Sequence, residues 1–318
     1  MLQLERAKSN PILLPNKSNW WESNAVFNCS VLNDGKSIHM LYRAVGEYQD
    51  YVSRIGYAES GDGLSFTRRN SAAISPVEDY ERYGIEDPRL TIIGDRTYVT
   101  YVVLSNFVKC GPLASTALAV TVDFVSYKRL GIITTPGSDN KDAVLFPKLN
   151  GESKSSKYLM LHRPSSWVGP QYGTNKPGIW IGEGDSVTNF MKHSLLAKPE
   201  QDWEALKVGV GMSPIKTNKG WLVIYHGVSV EKVYSAGALL LDLKDPSKIV
   251  GRTREPILKP EMSYEKNGDV PNVVFPTGAC IVDHKLFVYY GGADKVCCVA
   301  TIGLDLLLEY LLSPVCLN

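Results

Sequence analysis

A short apolar run that ends in proline occurs five times in this 318-residue chain, and it restricts the available folds more than any other feature. The prolines follow one another at intervals of 60 to 63 residues: Pro15, Pro76, Pro136, Pro199 and Pro260. An aromatic–Glu pair follows several of them, as Trp21-Glu22, Tyr80-Glu81, Trp203-Glu204 and Tyr264-Glu265. Similarity at a fixed interval indicates a repeat architecture that is built from one supersecondary unit.

Each proline is followed by a pattern of short β-strands. A first strand enters, turns at Gly- or Asn-containing residues such as Asn33-Asp34-Gly35, and returns as a second strand. Such residues supply the positive φ that tight hairpins need. A third strand follows, and the next unit's proline-terminated run is predicted as the fourth. The predicted first strands are Ala25–Leu32, Asp87–Ile93, Ala143–Leu149, Met212–Thr217 and Val273–Val282.

Four short antiparallel strands in each of five units predict an all-β fold, a five-bladed β-propeller. The run Ile12–Pro15 has no preceding unit, and the fifth unit has no fourth strand of its own. We therefore expect the N-terminal strand to complete the last blade and close the ring, because closure removes exposed sheet edges. Leu304–Leu312 is predicted as a short C-terminal helix. Residues 1–318 contain no linker and are predicted to form a single catalytic domain.

Composition argues against several classes of partner. The 34 Lys and Arg residues balance 33 Asp and Glu residues, so a net charge of +1 favours neither nucleic acid nor a membrane surface. No apolar run approaches the ~18 residues of a bilayer span. Met1–Arg6 has no signal-peptide stretch, so a cytoplasmic location is expected. The six cysteines lack metal-ligand spacing and are predicted to be reduced, mostly buried thiols, with no metal.

The motif Gly84-Ile85-Glu86-Asp87-Pro88-Arg89 carries the strongest candidate for catalysis. Pro88 fixes its own φ and is expected to push Asp87 into an extended conformation, which would hold the carboxylate stiffly. A rigid carboxylate suits general acid catalysis, because proton transfer needs a donor fixed within hydrogen-bonding reach. The alternative interpretation is a turn that contains an internal Asp–Arg ion pair.

Aligning the five units places equivalent polar residues around the mouth of a central channel. The candidates are Asn28, Arg43, Glu86, Asp87, Arg89, Lys141, Asp142, His162, Arg163, Lys207, His226, Asn272, Tyr290 and Asp294. Cations outnumber the acids that look free. Glycoside hydrolysis normally needs two carboxylates, whereas phosphorolysis needs one acid and a cationic phosphate pocket. The set favours phosphorolysis, although Asp142, Glu86 and Asp294 remain open as a second carboxylate.

Several long motifs resemble glycoside hydrolase family 130, the β-mannoside phosphorylases and related β-mannosidases. They are the segment 84–89, Lys141–Pro147, Leu161–Pro164, Gly220–Gly227, Leu239–Lys248, Tyr264–Phe275 and Tyr289–Asp294. The resemblance implies a five-bladed propeller that needs no metal, with Asp87 as general acid acting through a hydroxyl of the bound mannose. It further implies a phosphate site of Lys141, Arg163, Lys207 and His226 and a mannose site of Asn28, Arg43 and Asp294. Lys141 replaces an arginine of some relatives and loses its fork.

The predicted function is that of an inverting phosphorylase that reversibly converts β-mannosides to α-mannose 1-phosphate and a shortened acceptor. The expected partners are a manno-oligosaccharide and inorganic phosphate as co-substrate, with no other cofactor, and a homo-oligomer is left open. A β-1,2 linkage is preferred over β-1,4, and the acceptor is expected to depend on the loops Gly46–Val52 and Ser165–Lys176. The alternatives are a β-mannosidase that uses water and a non-catalytic sugar-binding propeller.

Overall fold

The structure is a computed structural model that describes residues 2–108, 111–135, 138–148 and 157–317. Its strands form five antiparallel sheets, one for each blade. Blade 1 consists of β2 (Ala25–Asn33), β3 (Ile38–Val45), β4 (Arg54–Ser60) and β5 (Thr67–Arg68), and blade 2 of β6 (Ile85–Ile93), β7 (Arg96–Val108), β8 (Gly111–Thr121) and β9 (Lys128–Ile132). Blade 3 consists of β10 (Asn140–Leu145), β11 (Tyr158–Pro164), β12 (Ile179–Ser186) and β13 (Asn189–Ala197), and blade 4 of β14 (Lys207–Val210), β15 (Ile215–Lys216), β16 (Trp221–Val228), β17 (Tyr234–Leu241) and β18 (Ile249–Arg252). Blade 5 combines β1 (Glu5–Arg6) from the start of the chain with β19 (Val274–Val282), β20 (Lys285–Gly292) and β21 (Val296–Gly303).

The predicted five-bladed propeller is confirmed, and an N-terminal strand closes it. Strand β1 pairs with β21, so blade 5 has the order β1-β21-β20-β19. The prediction that the proline-terminated runs form the fourth strands holds only for Leu196-Ala197, the end of β13; in the other blades the described fourth strand precedes the run. In blade 5 the paired strand precedes the run, and Leu13 adds only one bridge, to Cys297. Proline cannot donate to a ladder, which limits pairing at these runs. Pro136 lies outside the described residues.

The repeated aromatic–Glu pair marks a buried hydrogen-bond network rather than part of the channel. In four blades a fully buried glutamate accepts a hydrogen bond from a second-strand tyrosine and pairs with a fourth-strand arginine. The sets are Glu22–Tyr42–Arg68, Glu81–Tyr101–Arg129, Glu204–Tyr225–Arg252 and Glu265–Tyr290–Arg6. Each network links the entry to the first strand with strands two and four, and in blade 5 it also closes the ring.

Blade 3 replaces this network with two histidines and an asparagine. His162 occupies the tyrosine position of β11, where Nδ1 lies 3.0 Å from the Asn140 amide nitrogen and Nε2 lies 3.0 Å from Nδ1 of His193. The prediction that His162 and Tyr290 face the channel mouth is therefore wrong. Both side chains point into their blades, because the alternation along a strand sends neighbouring residues to opposite faces.

The first strand of blade 4 begins earlier than predicted. It starts at Lys207, pairs with β16, breaks over residues 211–214 and resumes as β15. A Cβ on Gly211 would lie 2.7 Å from the Ile224 carbonyl oxygen and 2.8 Å from that of Pro276, so only glycine fits there. Pro214 lacks the N–H that a continuous ladder would need. This shift places Lys207 at the channel end of the strand.

The predicted C-terminal helix is confirmed as α2 (Leu304–Leu311), and α1 (Ser263–Lys266) is a single turn. Leu307, Leu308 and Leu311 of α2 join the core between blades 4 and 5. Short 3-10 turns cover Trp20–Glu22, Asp79–Glu81, Pro170–Tyr172 and Asp202–Glu204. Within the described ranges, no helix is long and apolar enough to cross a membrane. Unit three carries an insertion relative to the other units, Gly151–Lys157, and all of it except Lys157 lies outside those ranges.

Candidate active site

A cavity of about 380 Å³ opens at the mouth of the channel, and all five blades contribute to its wall. Every residue that the family resemblance assigned to the site lines it: Asn28, Arg43, Asp87, Lys141, Arg163, Lys207, His226 and Asp294. Glu86 and Asp142 lie among them, whereas Asn272 is exposed outside the lining. The alignment of repeats did not find Tyr234 and Phe275, which also line the cavity. Both are aromatic residues at strand ends, which the search for polar positions passed over.

Three of the polar residues lie on β-bulges at equivalent places in the first strands of blades 1, 2 and 3. Asn28, Asp87 and Asp142 have φ of 50°, 49° and 57°, and the pairing register shifts at each of them. The predicted extended conformation of Asp87 is therefore wrong. A bulge turns a side chain away from the sheet, and Asn and Asp tolerate the left-handed backbone that it needs. The recurrence of Asn or Asp at this position was the available sequence signal.

The Asp87 carboxylate is held by blade 1. Its Oδ1 accepts a 2.8 Å hydrogen bond from Asn28 Nδ2 and lies 3.6 Å from Arg43 Nη1. Its Oδ2 forms no hydrogen bond or ion pair within the described part of the chain, so one oxygen is left for a ligand. The alternative of an internal Asp–Arg ion pair does not hold, because Arg89 donates to the main-chain carbonyl of Asp87.

Two other carboxylates of the cavity, Glu86 and Asp142, are already engaged by cations. Glu86 pairs with Arg43 and lies 3.8 Å from Lys141 Nζ. Asp142 Oδ2 accepts a 2.7 Å hydrogen bond from Arg163 Nε and lies 3.7 Å from His226 Nε2. Burial opposes the charge of Asp142, but its cationic neighbours outweigh that effect and hold the pKa of this carboxyl well below its usual range. These two acids therefore serve mainly as partners for the cations.

Close backbone approach makes the Asp142 arrangement feasible. A Cβ on Gly209 of β14 would lie 2.4 Å from Asp142 Oδ2 and 2.5 Å from His226 Cε1. Only glycine leaves space for the carboxylate and the imidazole to meet there. Arg163 is further fixed by a 3.1 Å hydrogen bond from Nη1 to Ser165 Oγ, which connects it to the start of the loop Ser165–Lys176.

Lys207 is a cation without a carboxylate partner in the described residues. Its Nζ lies 5.2 Å from the centre of the Tyr234 ring. Burial, together with the nearby charges of Arg163 and Lys141, lowers the pKa of Lys207 to about 8. An anion in the cavity would relieve this repulsion, so Lys141, Arg163 and Lys207 together form an anion-binding wall.

The pKa values of two further groups in the cavity, His226 and Asp294, are shifted in opposite directions. Burial lowers the pKa of His226 to about 3, so its imidazole is neutral at pH 7. Burial raises the pKa of Asp294 to about 7, with the charges of Asp87 and Glu86 adding to the rise and that of Arg43 opposing it. Asp294 therefore exchanges a proton near neutrality and can accept or donate hydrogen bonds to hydroxyl groups.

Fold and site define a class of protein: a β-propeller enzyme whose channel mouth holds the partly open Asp87 carboxylate opposite an anion-binding wall. The sequence matches the family profile described as beta-1,4-mannooligosaccharide phosphorylase, Glyco_hydro_130, over residues 5–312. The chain belongs to glycoside hydrolase family 130 and is an enzyme.

The relatives cover nearly the whole chain. A 1,2-beta-oligomannan phosphorylase of Thermoanaerobacter sp. (strain X514) is 40% identical over 309 residues, which are 95% of this chain and 98% of the relative. A beta-1,4-mannooligosaccharide phosphorylase of Ruminococcus albus is 30% identical and covers 92% of this chain and 86% of its own length. The structure of beta-1,2-mannobiose phosphorylase from Listeria innocua, in complex with beta-1,2-mannobiose, superposes with a TM-score of 0.84 at 30% identity, covering 98% of this chain and 99% of that one.

Proposed function

We propose that this enzyme is an inverting β-mannoside phosphorylase that converts a manno-oligosaccharide and inorganic phosphate to α-mannose 1-phosphate and a shortened acceptor. Asp87 is the general acid and delivers its proton towards the glycosidic oxygen. Phosphate is the nucleophile and attacks the anomeric carbon from the opposite face, so a β-linkage gives an α-phosphate. No further cofactor is required, because phosphate itself takes the place of the attacking water.

The observation that carries this proposal is the wall of cations in the cavity. Asp87 has an open oxygen, and Glu86 and Asp142 are paired with cations. Asp139 and Asp294 also line the cavity without an ion pair among the described residues, so the wall of cations, rather than a lack of carboxylates, carries the proposal. A hydrolase needs a second free carboxylate to activate water. Phosphate instead requires cations, and arginine and lysine provide them in the wall formed by Lys141, Arg163 and Lys207.

The remaining residues supply binding contacts in this proposal. His226, neutral at pH 7, donates or accepts a hydrogen bond to a phosphate oxygen beside Arg163. Asn28 and Arg43 flank Asp87 and contact the mannose unit that is transferred. Asp294, whose proton is labile near neutrality, contacts mannose hydroxyls from blade 5. Ground-state contacts of this kind position the anomeric carbon between acid and phosphate.

We place the linkage at β-1,2. Two relatives named for β-1,2-linked substrates are 40% and 38% identical to the chain, whereas the relative named for β-1,4-linked oligosaccharides is 30% identical.

The five cysteines described by the structure, all buried and unpaired, support a reducing compartment such as the cytoplasm.

Turnover in both directions tests the proposal. With β-1,2-linked mannobiose, mannose 1-phosphate should form only when inorganic phosphate is present. In reverse, α-mannose 1-phosphate and mannose should give a β-1,2-linked disaccharide, identified by linkage analysis. Mannose release without phosphate would identify a mannosidase, a β-1,4-linked product would refute the linkage alone, and absence of any turnover with demonstrable sugar binding would identify a binding protein.

Lys207→Ala should raise the KM for phosphate by about tenfold or more, because a hydrogen bond to a charged group contributes about 1.5–3 kcal/mol. The KM for the mannoside should change much less. The wild-type KM for phosphate should also rise above about pH 8, since the ammonium that binds the anion loses its proton as pH passes the pKa of Lys207. Initial rates across pH 6.5 to 9.5 measure both effects.

Two variants control this experiment. Lys207→Arg stays charged across the range and should remove the rise above pH 8. Lys219→Ala changes an exposed lysine in the hairpin before β16 and should leave both KM values unaltered. Equal effects of Lys207→Ala on both substrates would contradict its assignment to phosphate.

A further inference from the structure

Arg89 crosses the channel beneath the cavity and is almost wholly buried, with 1% of its surface exposed. It starts from β6 in blade 2, and its Nε donates a 2.5 Å hydrogen bond to the Gly211 carbonyl in blade 4. Its guanidinium carbon lies 5.8 Å from the ring centre of Phe275 in blade 5. Its Nη2 lies 4.0 Å from Asp142 Oδ1 in blade 3. One side chain therefore reaches four blades at the floor of the site.

Burying the charge of Arg89 costs free energy, and an apolar side chain could fill the floor of the channel without that cost. Within the described part of the chain, the hydrogen bonds of Arg89 go to the main-chain carbonyls of Gly211, Asp87 and Pro88, and none goes to a carboxylate. Nη2 has no hydrogen-bond partner within the described residues. Burial is accordingly the largest influence on Arg89 and lowers its pKa. Replacing buried ionic groups by well-packed apolar residues is often neutral for stability, so stability alone does not account for this arginine.

Arg89 contacts both the segment that carries Asp87 and the carboxylate that orients Arg163 in the anion-binding wall. Nη1 donates a 2.8 Å hydrogen bond to the carbonyl of Asp87, whose backbone is left-handed on the bulge and has left the regular ladder there. The break before β15 leaves the Gly211 carbonyl free to accept the second bond. On the other side, the positive charge faces Asp142, the carboxylate that orients Arg163.

We propose that Arg89 is a positioning residue that couples the acid to the phosphate site through two separable properties. Its fork fixes the main chain that carries Asp87, and its charge faces the Asp142 carboxylate and helps to hold it where it orients Arg163 towards the anion. The proposal rests on the proposed phosphorolysis. Lysine supplies the charge without the fork, and methionine supplies neither, so the two properties can be tested apart.

The experiment compares Arg89→Met, Arg89→Lys and Arg129→Met. Arg129 belongs to the buried network of the same blade, away from the cavity, and controls for general destabilisation. For Arg89→Met, kcat should fall by about 10²-fold, as small misplacements of a catalytic group do. Calorimetric binding of inorganic phosphate should weaken about tenfold, because a nearby positive charge is lost. Arg89→Lys should recover phosphate binding while kcat stays low. Arg129→Met should lower the melting temperature with kcat and phosphate binding per folded molecule near wild type.

Several outcomes decide the matter. The proposal is overturned if Arg89→Met matches Arg129→Met in both readouts, or if Arg89→Lys restores kcat as fully as phosphate binding. If Arg89→Met does not fold, a low kcat with intact phosphate binding in Arg89→Lys still supports the fork, and an unchanged kcat refutes it. Wild-type turnover without phosphate defeats the proposed function instead. The calorimetric comparison remains valid in that case, because it needs no turnover.

Discussion

Asp87→Asn should reduce kcat/KM for phosphorolysis by at least ~10²-fold, the usual contribution of a positioned general acid. Asparagine preserves the shape of the side chain and can still accept the hydrogen bond from Asn28, so the loss isolates the proton. The left-handed backbone at residue 87 also tolerates asparagine, which favours normal folding. Steady-state rates with β-1,2-mannobiose and phosphate measure the effect.

Asp95→Asn is the matched control for this substitution. Asp95 lies in the turn at the other end of the same β6–β7 hairpin, with 84% of its side chain exposed. Its replacement should leave the rate unchanged. The role of Asp87 is refuted if Asp87→Asn retains more than about a tenth of wild-type activity, or if phosphate binding is lost as completely as turnover.

Arg6→Met should lower the free energy of unfolding by about 3–5 kcal/mol, the usual effect of removing one partner from a buried ion pair. Arg6 Nε lies 2.8 Å from Oε1 of Glu265, and the Glu265 side chain has no exposed surface. Arg6 also sits on the strand that closes the ring, so the same substitution weakens the seam between the chain termini. Urea denaturation followed by tryptophan fluorescence measures the change.

Glu261→Gln provides the comparison on the same arginine. Glu261 lies 3.2 Å from Arg6 Nη1, but half of its side chain is exposed, so its loss should cost less than about 1 kcal/mol. Comparable costs for Arg6→Met and Glu261→Gln would show that the buried network does not stabilise the closure.

The repeats were sufficient to predict the propeller because they report local properties. Turn residues set the hairpins, alternating apolar residues define the strands, and a fixed interval leads to a closed ring. The aromatic–Glu pair was equally visible, for example Trp203-Glu204, but its role was not. Glu204, in the turn before β14, meets Arg252 only when the first and fourth strands of the blade lie in one sheet. Local sequence patterns determine the strands and turns, whereas contacts between residues distant in sequence are created only when the sheet forms.

The same distinction holds for the candidate site: the sequence predicts which residues are there, and the tertiary structure determines their orientation. Ten of the fourteen candidates from the repeat alignment line one cavity, because equivalent positions of a closed repeat face the same axis; Arg89, His162, Asn272 and Tyr290 do not line it. The tertiary structure decided how they are aimed. The bulges at Asn28, Asp87 and Asp142, the broken strand at Gly211 and the path of Arg89 across the channel depend on contacts between blades. Such contacts join residues from different repeats, and no pattern within a single repeat specifies them.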